Sequence, residues 1–238
     1  MNRHSLIAMV VFAGAGFATS ADISQVGGPI TVAANQAVGN VSNVNGPIRL
    51  DDKVVVINAH NVNGGITLGA AASAQSVSTV NGGITLGAAA SVQSVRTNNG
   101  SISIGPGGRV AGSVTAINST IVLGRSAEVS GHLSNTNGKI RLDAAHVGGG
   151  IATVTSSIEI GAGSRVEGGI QVICTKGAWD WLFRRPCESP LVVIGPDASV
   201  QGTLTLEHNV RLYVSDRARI GPVEGAKAIV YAGEHPPI

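Results

Sequence analysis

From Gly28 onward the aliphatic residues fall in pairs two positions apart, with a third residue six positions further on, and the set recurs about every 18 residues. Val62–Val77 reads VNGGITLGAAASAQSV and Val80–Val95 reads VNGGITLGAAASVQSV, so two successive copies differ only at Ala74 against Val92. The first member of the pair falls at Ile30, Ile48, Ile66, Ile84, Ile102, Ile121, Ile140, Ile158, Val192 and Leu212, and the second two residues later, from Val32 to Val214. Val38, Val56, Val92, Val110, Val129, Val166, Val200 and Ile220 make the third column. An apolar residue on either side of a single outward one is strand alternation, and no 3.6-residue period is sustained after residue 21.

Asn stands three positions before the first apolar residue at Asn45, Asn63, Asn81, Asn99, Asn118, Asn137 and Asn209, with Gly after it in five of these. Both residues take left-handed backbone angles at low cost, so each pair marks a corner. Consecutive hairpins would not hold one column of Asn and several of aliphatics in a single register. The pattern therefore predicts an all-β chain, a single-stranded parallel β-helix of about ten coils and roughly 45 Å, with strands stacked at ~4.8 Å. Within Ile48–Val62 apolar residues stand at positions 0, 2, 8, 11 and 14 rather than every six, which favours a right-handed coil over the hexapeptide left-handed kind. Identical Asn side chains at one corner are expected to form a hydrogen-bonded ladder.

The chain divides into three parts. Residues 1–21 have the form of a signal peptide: Arg3 and His4, an apolar stretch from Leu6 to Phe17, and the small residues Ala18-Thr19-Ser20-Ala21. Residues 22–225 are the β-helix, and 226–238 a C-terminal tail. The apolar stretch is shorter than the ~20 residues that span a bilayer, so no transmembrane segment is expected in the mature chain. Export to the periplasm, the cell surface or the medium follows, and there the only two cysteines, Cys174 and Cys187, are expected to pair.

With 16 Lys and Arg against 14 Asp and Glu the chain is close to neutral, which gives no electrostatic footprint for nucleic acid. Aromatics at 3% fit a narrow aliphatic core and argue against a conventional helix-and-sheet globule.

Stretches such as SIEIGAGSRVEGGIQV (Ser157–Val172) and VVIGPDASVQGTLTL (Val192–Leu206) resemble the bactofilins, polymer-forming bacterial β-helix proteins, and the NG-x-I-x-L copies are similar to bacterial putative-adhesin β-helix repeats. The resemblance covers nearly all of Gly28–Gly225. It implies a right-handed β-helix that self-associates, as a dimer or a filament. Bactofilins work in the cytoplasm, whereas the leader here points to export.

Three features are candidates for function. The interval from Ile158 to Val192 is 34 residues where 18 is expected, and the insertion, 174–187, holds Trp179, Trp181, Phe183, Arg184 and Arg185. Exposed aromatics beside Arg are typical of binding hot spots, for a cell-envelope glycan or a protein; the competing expectation is a local clasp against the rod. The ends of the rod expose unpaired strand edges. The first coil has no charge around Ile30, Thr31 and Val32, whereas the last carries Arg211, Asp216, Arg217 and Arg219, so association is expected through the N-terminal edge, unless residues 22–29 and the tail simply cap the rod. The outward column of Thr31, Thr67, Thr85 and Ser103 is similar to ice-binding hydroxyl arrays but is interrupted by Arg49.

No catalytic residues are expected. Asp51 and Asp143 share a column five coils apart, about 24 Å, too far for a glycosidase pair. Asp51 and Asp52 are expected to point to opposite sides, and Asp143 and His146 to lie within reach of each other. The histidines lack metal-ligand spacing, and nothing calls for a metal or a cofactor.

Overall fold

The computed structural model describes residues 8–10, 21–173, 190–207 and 210–237. The described elements are all strands, and every pairing between them is parallel. Successive coils stack on three sides, and the stacking register is the one the aliphatic columns predict. Ile30, Ile48, Ile66, Ile84, Ile102, Ile121, Ile140, Ile158, Val192, Leu212 and Ala228 form one continuous column.

The first side is a short strand, such as Ile48–Leu50, Ile66–Leu68 or Ile84–Leu86, with one outward residue between two inward ones. A tight turn follows. Its apex is left-handed in nine coils, yet the residue there is often not Gly: Lys53, Ala71, Ala89, Ser126 and Ala144 have φ of 58°, 54°, 55°, 57° and 44°. A left-handed non-glycine residue costs roughly 1–2 kcal/mol. What holds it is the ladder between coils, because the apex amide donates to the coil that follows, Lys53 N to Ala70 O at 2.8 Å and Ala71 N to Ala88 O at 2.9 Å.

In the early coils one nine-residue strand makes both remaining sides, as in Val55–Asn63 and Ser73–Asn81. From Arg109 onward one additional residue enters at the bend between them, and the long strand splits into Arg109–Val110 and Val114–Leu123. This insertion accounts for the steps of 19 residues seen in the sequence.

The core is a narrow aliphatic stack in which Ile66, Val77, Ile84, Ile102, Leu123 and Leu133 have no measurable exposure. Four of the five apolar positions of a coil face it. The fifth does not: alternation along Val55–Asn63 turns Ala59 and Asn61 inward, both buried, and leaves Val62 half-buried on the outside.

The interior thus contains a polar column that the apolar pattern hides, running through Asn43, Asn61, Thr79 and Thr97. Each donates to a corner carbonyl of the preceding coil: Asn43 Nδ2 to Gly28 O at 2.8 Å, Asn61 Nδ2 to Gly46 O at 2.8 Å, Thr79 Oγ1 to Gly64 O at 3.0 Å and Thr97 Oγ1 to Gly82 O at 3.0 Å. Threonine does this with one hydroxyl. Asparagine leaves a buried oxygen, and Oδ1 of both Asn43 and Asn61 has no protein donor. An unsatisfied buried acceptor costs about 1–3 kcal/mol. Asn61→Thr keeps the donor and removes the orphan, so its unfolding midpoint in denaturant is expected to rise, by about 1 kcal/mol of stability. A fall in the midpoint would contradict this account of the column.

At the ends the structure departs from the sequence reading. Ala228–Tyr231, assigned above to the tail, pairs along Leu212–Ser215 and continues the coil beyond Gly225. The terminal strand is therefore apolar, not the charged coil of Arg211, Asp216, Arg217 and Arg219. At the other end Ala8–Val10, inside the leader, pairs along Ile30–Val32, and Ile23–Gly27 along Val41–Asn45.

Candidate functional site

The outer surface of the third side is built from three neighbouring columns. The first runs Ser24, Ser42, His60, Ser78, Arg96, Thr115, Ser134, Ala152, Gln171. The second, two residues on, runs Val26, Val44, Val62, Val80, Asn98, Ile117, Thr136, Val154, Ile173. The third is the asparagine ladder at the corner. Val26 is 72% exposed and Val44 38%, and the rest of the valine column is half-buried by its neighbours. Through these nine coils the face carries one cation, Arg96, and no carboxylate.

The asparagine ladder forms as expected. Nδ2 of Asn63, Asn81, Asn99, Asn118 and Asn137 donates to Oδ1 of the Asn in the coil before, at 2.8 to 3.1 Å, and Thr155 Oγ1 continues the chain onto Asn137 Oδ1. Asn209 lies outside the described residues. Beside the ladder the hydroxyl column pairs with itself, Ser42 Oγ with Ser24 Oγ and His60 Nδ1 with Ser78 Oγ, each at 3.0 Å.

Charges collect on the other two sides. Arg109 and Glu128 lie 3.7 Å apart in adjacent coils, as do Arg141 and Glu159, with Lys139 Nζ at 2.7 Å from the latter. Partial burial works to raise the Glu159 pKa, but the Lys139 hydrogen bond and the charges of Lys139, Arg141 and His235 together hold it below the usual carboxylate value.

The candidate acids and bases are dispersed or engaged. Asp51 accepts from Arg49 Nε at 3.0 Å and Asp52 Oδ1 from Ala70 N at 2.7 Å, both in the turn rather than on opposite faces of a strand. His146 Nε2 lies 3.3 Å from Glu167 Oε1 of the next coil, and His132 Nδ1 accepts from Gly150 N at 3.1 Å. Among the described residues no group of three or more His, Cys, Asp or Glu could hold a metal ion. The outward column of Thr31, Thr67, Thr85 and Ser103 exists, with Arg49 in it.

The described coil stops at Ile173, in the valine column, and resumes at Pro190. Cys174, Trp179, Trp181, Phe183, Arg184, Arg185 and Cys187 lie outside the described residues.

At the N-terminal end, Asn40 donates through its backbone to Asp22 Oδ1 at 2.6 Å and Gly39 N to Ala21 O at 3.0 Å. The Asn40 backbone and side-chain hydrogen bonds lower the Asp22 pKa. Residues 21–27 thus lie along Gly39–Asn45, the third side of the first coil. The first side, at Ile30–Val32, is covered by Ala8–Val10.

The last described coil is exposed at its interior column. Val230 occupies an interior column, yet it is 67% exposed where Val214, one coil earlier, is 5%. Tyr231 fastens the last strand by donating to Ile194 O at 3.2 Å. Burial, with the Asp216 carboxylate nearby, pushes the Tyr231 phenol above its ordinary value.

No family model matches the chain, and neither the curated proteins nor the solved structures contain a match. Among the described residues no helix is long and apolar enough to cross a membrane, which says nothing of strand-built membrane proteins.

Proposed function

We propose that this chain is a structural protein of the bacterial cell envelope, an exported bactofilin-like rod that self-associates through the ends of its β-helix and performs no catalysis. The observation that carries the reading is the exposed last described coil, where Val230 and Ile229 present 67% and 47% of their surface. An uncovered strand edge backed by apolar side chains is a template for further parallel pairing. The complementary edge is Ile30–Val32, in the same column as Ala228–Val230, with uncharged Thr31 at its centre. Ala8–Val10 occupies that edge, so loss of residues 1–21 on export would vacate it. Assembly would then be confined to the mature chain.

The test is electron microscopy and sedimentation of the protein with and without residues 1–21. The shortened chain is expected to form end-to-end dimers or filaments in multiples of roughly 45 to 50 Å, and the full chain no end-to-end assembly. Thr31→Asp in the shortened chain should abolish that assembly. Single rods under all conditions would refute end-to-end assembly. If such single rods bind envelope glycan or a cell surface, the second reading is supported instead: an adhesin or binding module acting through the aromatic insertion. The position of that insertion in the sequence favours it, between the described coils that end at Ile173 and resume at Pro190.

A further inference from the structure

We infer that the third side of the rod is a lateral pairing surface for a second copy of this chain, with the two rods side by side and parallel. Only the choice of occupant rests on the self-association proposed above, because the surface is a flank and not an end. Three observations lead to it.

The first is composition. The valine column, with the hydroxyl column on one hand and the asparagine ladder on the other, runs nine coils without a carboxylate. The other two sides carry ion pairs, Arg109 with Glu128, Lys139 with Glu159 and Arg165 with Glu167, which a partner would have to strip of water. Pairs of that kind seldom recover their desolvation cost on burial.

The second is spacing. The face repeats each coil at ~4.8 Å, and a partner can match its apolar contacts, which all coils but those of Asn98 and Thr136 supply, only if it has the same repeat. Another copy has it by construction. The face has no aromatic side chain, the usual platform for a sugar ring, whereas branched aliphatic columns are what packed sheets interdigitate.

The third is area. Eight coil steps at ~4.8 Å and a width of about 13 Å give roughly 500 Å² per copy, about 1,000 Å² in all. That is the lower bound for a specific interface, so a dimer of modest affinity is expected.

Arg96 fixes the direction. Its column neighbour Asn98 is the midpoint of the valine column. Antiparallel rods centred there would set Arg96 against its own copy. Parallel rods related by a two-fold along their length instead put each hydroxyl column opposite the other copy's ladder. Arg96 then meets Asn99, Ser78 meets Asn81, and valine meets valine in the same coil.

The experiment measures mass by sedimentation equilibrium on the full chain, up to about 100 μM because an interface of this size is weak. A dimer is expected. Val62→Glu with Val80→Glu should raise its dissociation constant about a hundredfold or more, since each carboxylate would be buried without a partner. Thr67→Glu with Thr85→Glu, on the first side, should leave it unchanged. Both doubles keep outward positions, and equal circular dichroism and melting curves establish that they fold. Crosslinks between Ser78→Cys in one copy and Asn81→Cys in the other should outnumber those between two Ser78→Cys copies.

A dimer of the chain without residues 1–21 that survives Val62→Glu with Val80→Glu but is lost with Thr31→Asp would overturn lateral pairing and leave end contact standing. Lateral dimers from a shortened chain that never lengthens would uphold this inference and refute end contact. A full-chain monomer at every concentration would overturn lateral pairing. Retention of such a monomer on an insoluble β-linked glycan, abolished by the two glutamates, would assign the face to a glycan.

Discussion

Gly100→Ala is expected to lower stability by about 3 kcal/mol or more, although it adds a single methyl group. Gly100 stands at a corner with φ of +147°, and a Cβ there would lie 2.1 Å from Gly82 O and 2.3 Å from Gly82 C. Both contacts are backbone. Gly82 cannot retreat, because it is stacked just as closely on Gly64: a Cβ on Gly82 would lie 2.1 Å from Gly64 O. The corner therefore yields only by separating coils, which breaks ladder bonds such as Gly82 N to Asn99 O at 2.8 Å. Gly107→Ala is the control: φ is +65° and nothing lies within 4 Å of the added carbon. That variant should lose only the left-handed cost, about 1–2 kcal/mol. Urea unfolding of the two variants beside the parent measures both, and equal losses would mean that close stacking is not what makes this corner glycine.

Ile84→Ala should cost about 2–5 kcal/mol, whereas Asn81→Ala, three residues away, should cost about 1 kcal/mol. Ile84 is fully buried, stacked between Ile66 and Ile102, so removing its side chain leaves a cavity in the core. Asn81 accepts from Asn99 at 3.0 Å and donates to Asn63 at 2.9 Å, but it is exposed and water replaces both partners. The asparagine ladder is conspicuous in the sequence, and the isoleucine column carries the stability. Thermal or urea unfolding gives the order directly; a larger loss at Asn81 than at Ile84 would reverse that conclusion.

The fold was legible because one physical demand repeats with one residue type. The interior of the first side admits Ile, Val or Leu and little else, so Ile48, Ile66 and Ile84 announce the column. Other columns obey a demand that several residues meet. The inner polar position needs only a donor of the right length, and Asn61, Thr79 and Thr97 all supply it. The left-handed apex is stabilised by its amide bond to the next coil, so Lys53 and Ala71 serve there and no glycine signature appears. Val62 looked like Val56 because composition does not tell inward from outward; counting alternation from Ala59 places it outside. Ala228–Tyr231 escaped notice because it follows Leu212 by a shortened step, after Gly225 and with Pro236 and Pro237 close behind.

The near-identity of Val62–Val77 and Val80–Val95 makes length the most easily altered property of this molecule. Because the strands around this stretch pair only with the coils directly before and after, excising 18 residues such as 64–81 would rejoin like with like and leave every column continuous. The product would be a shorter ruler with the same three surfaces, less one ~4.8 Å graduation. Duplicating the same stretch would lengthen it equally. Slippage between the two matching DNA segments is thus a route by which such a chain acquires a new reach without inventing a new contact.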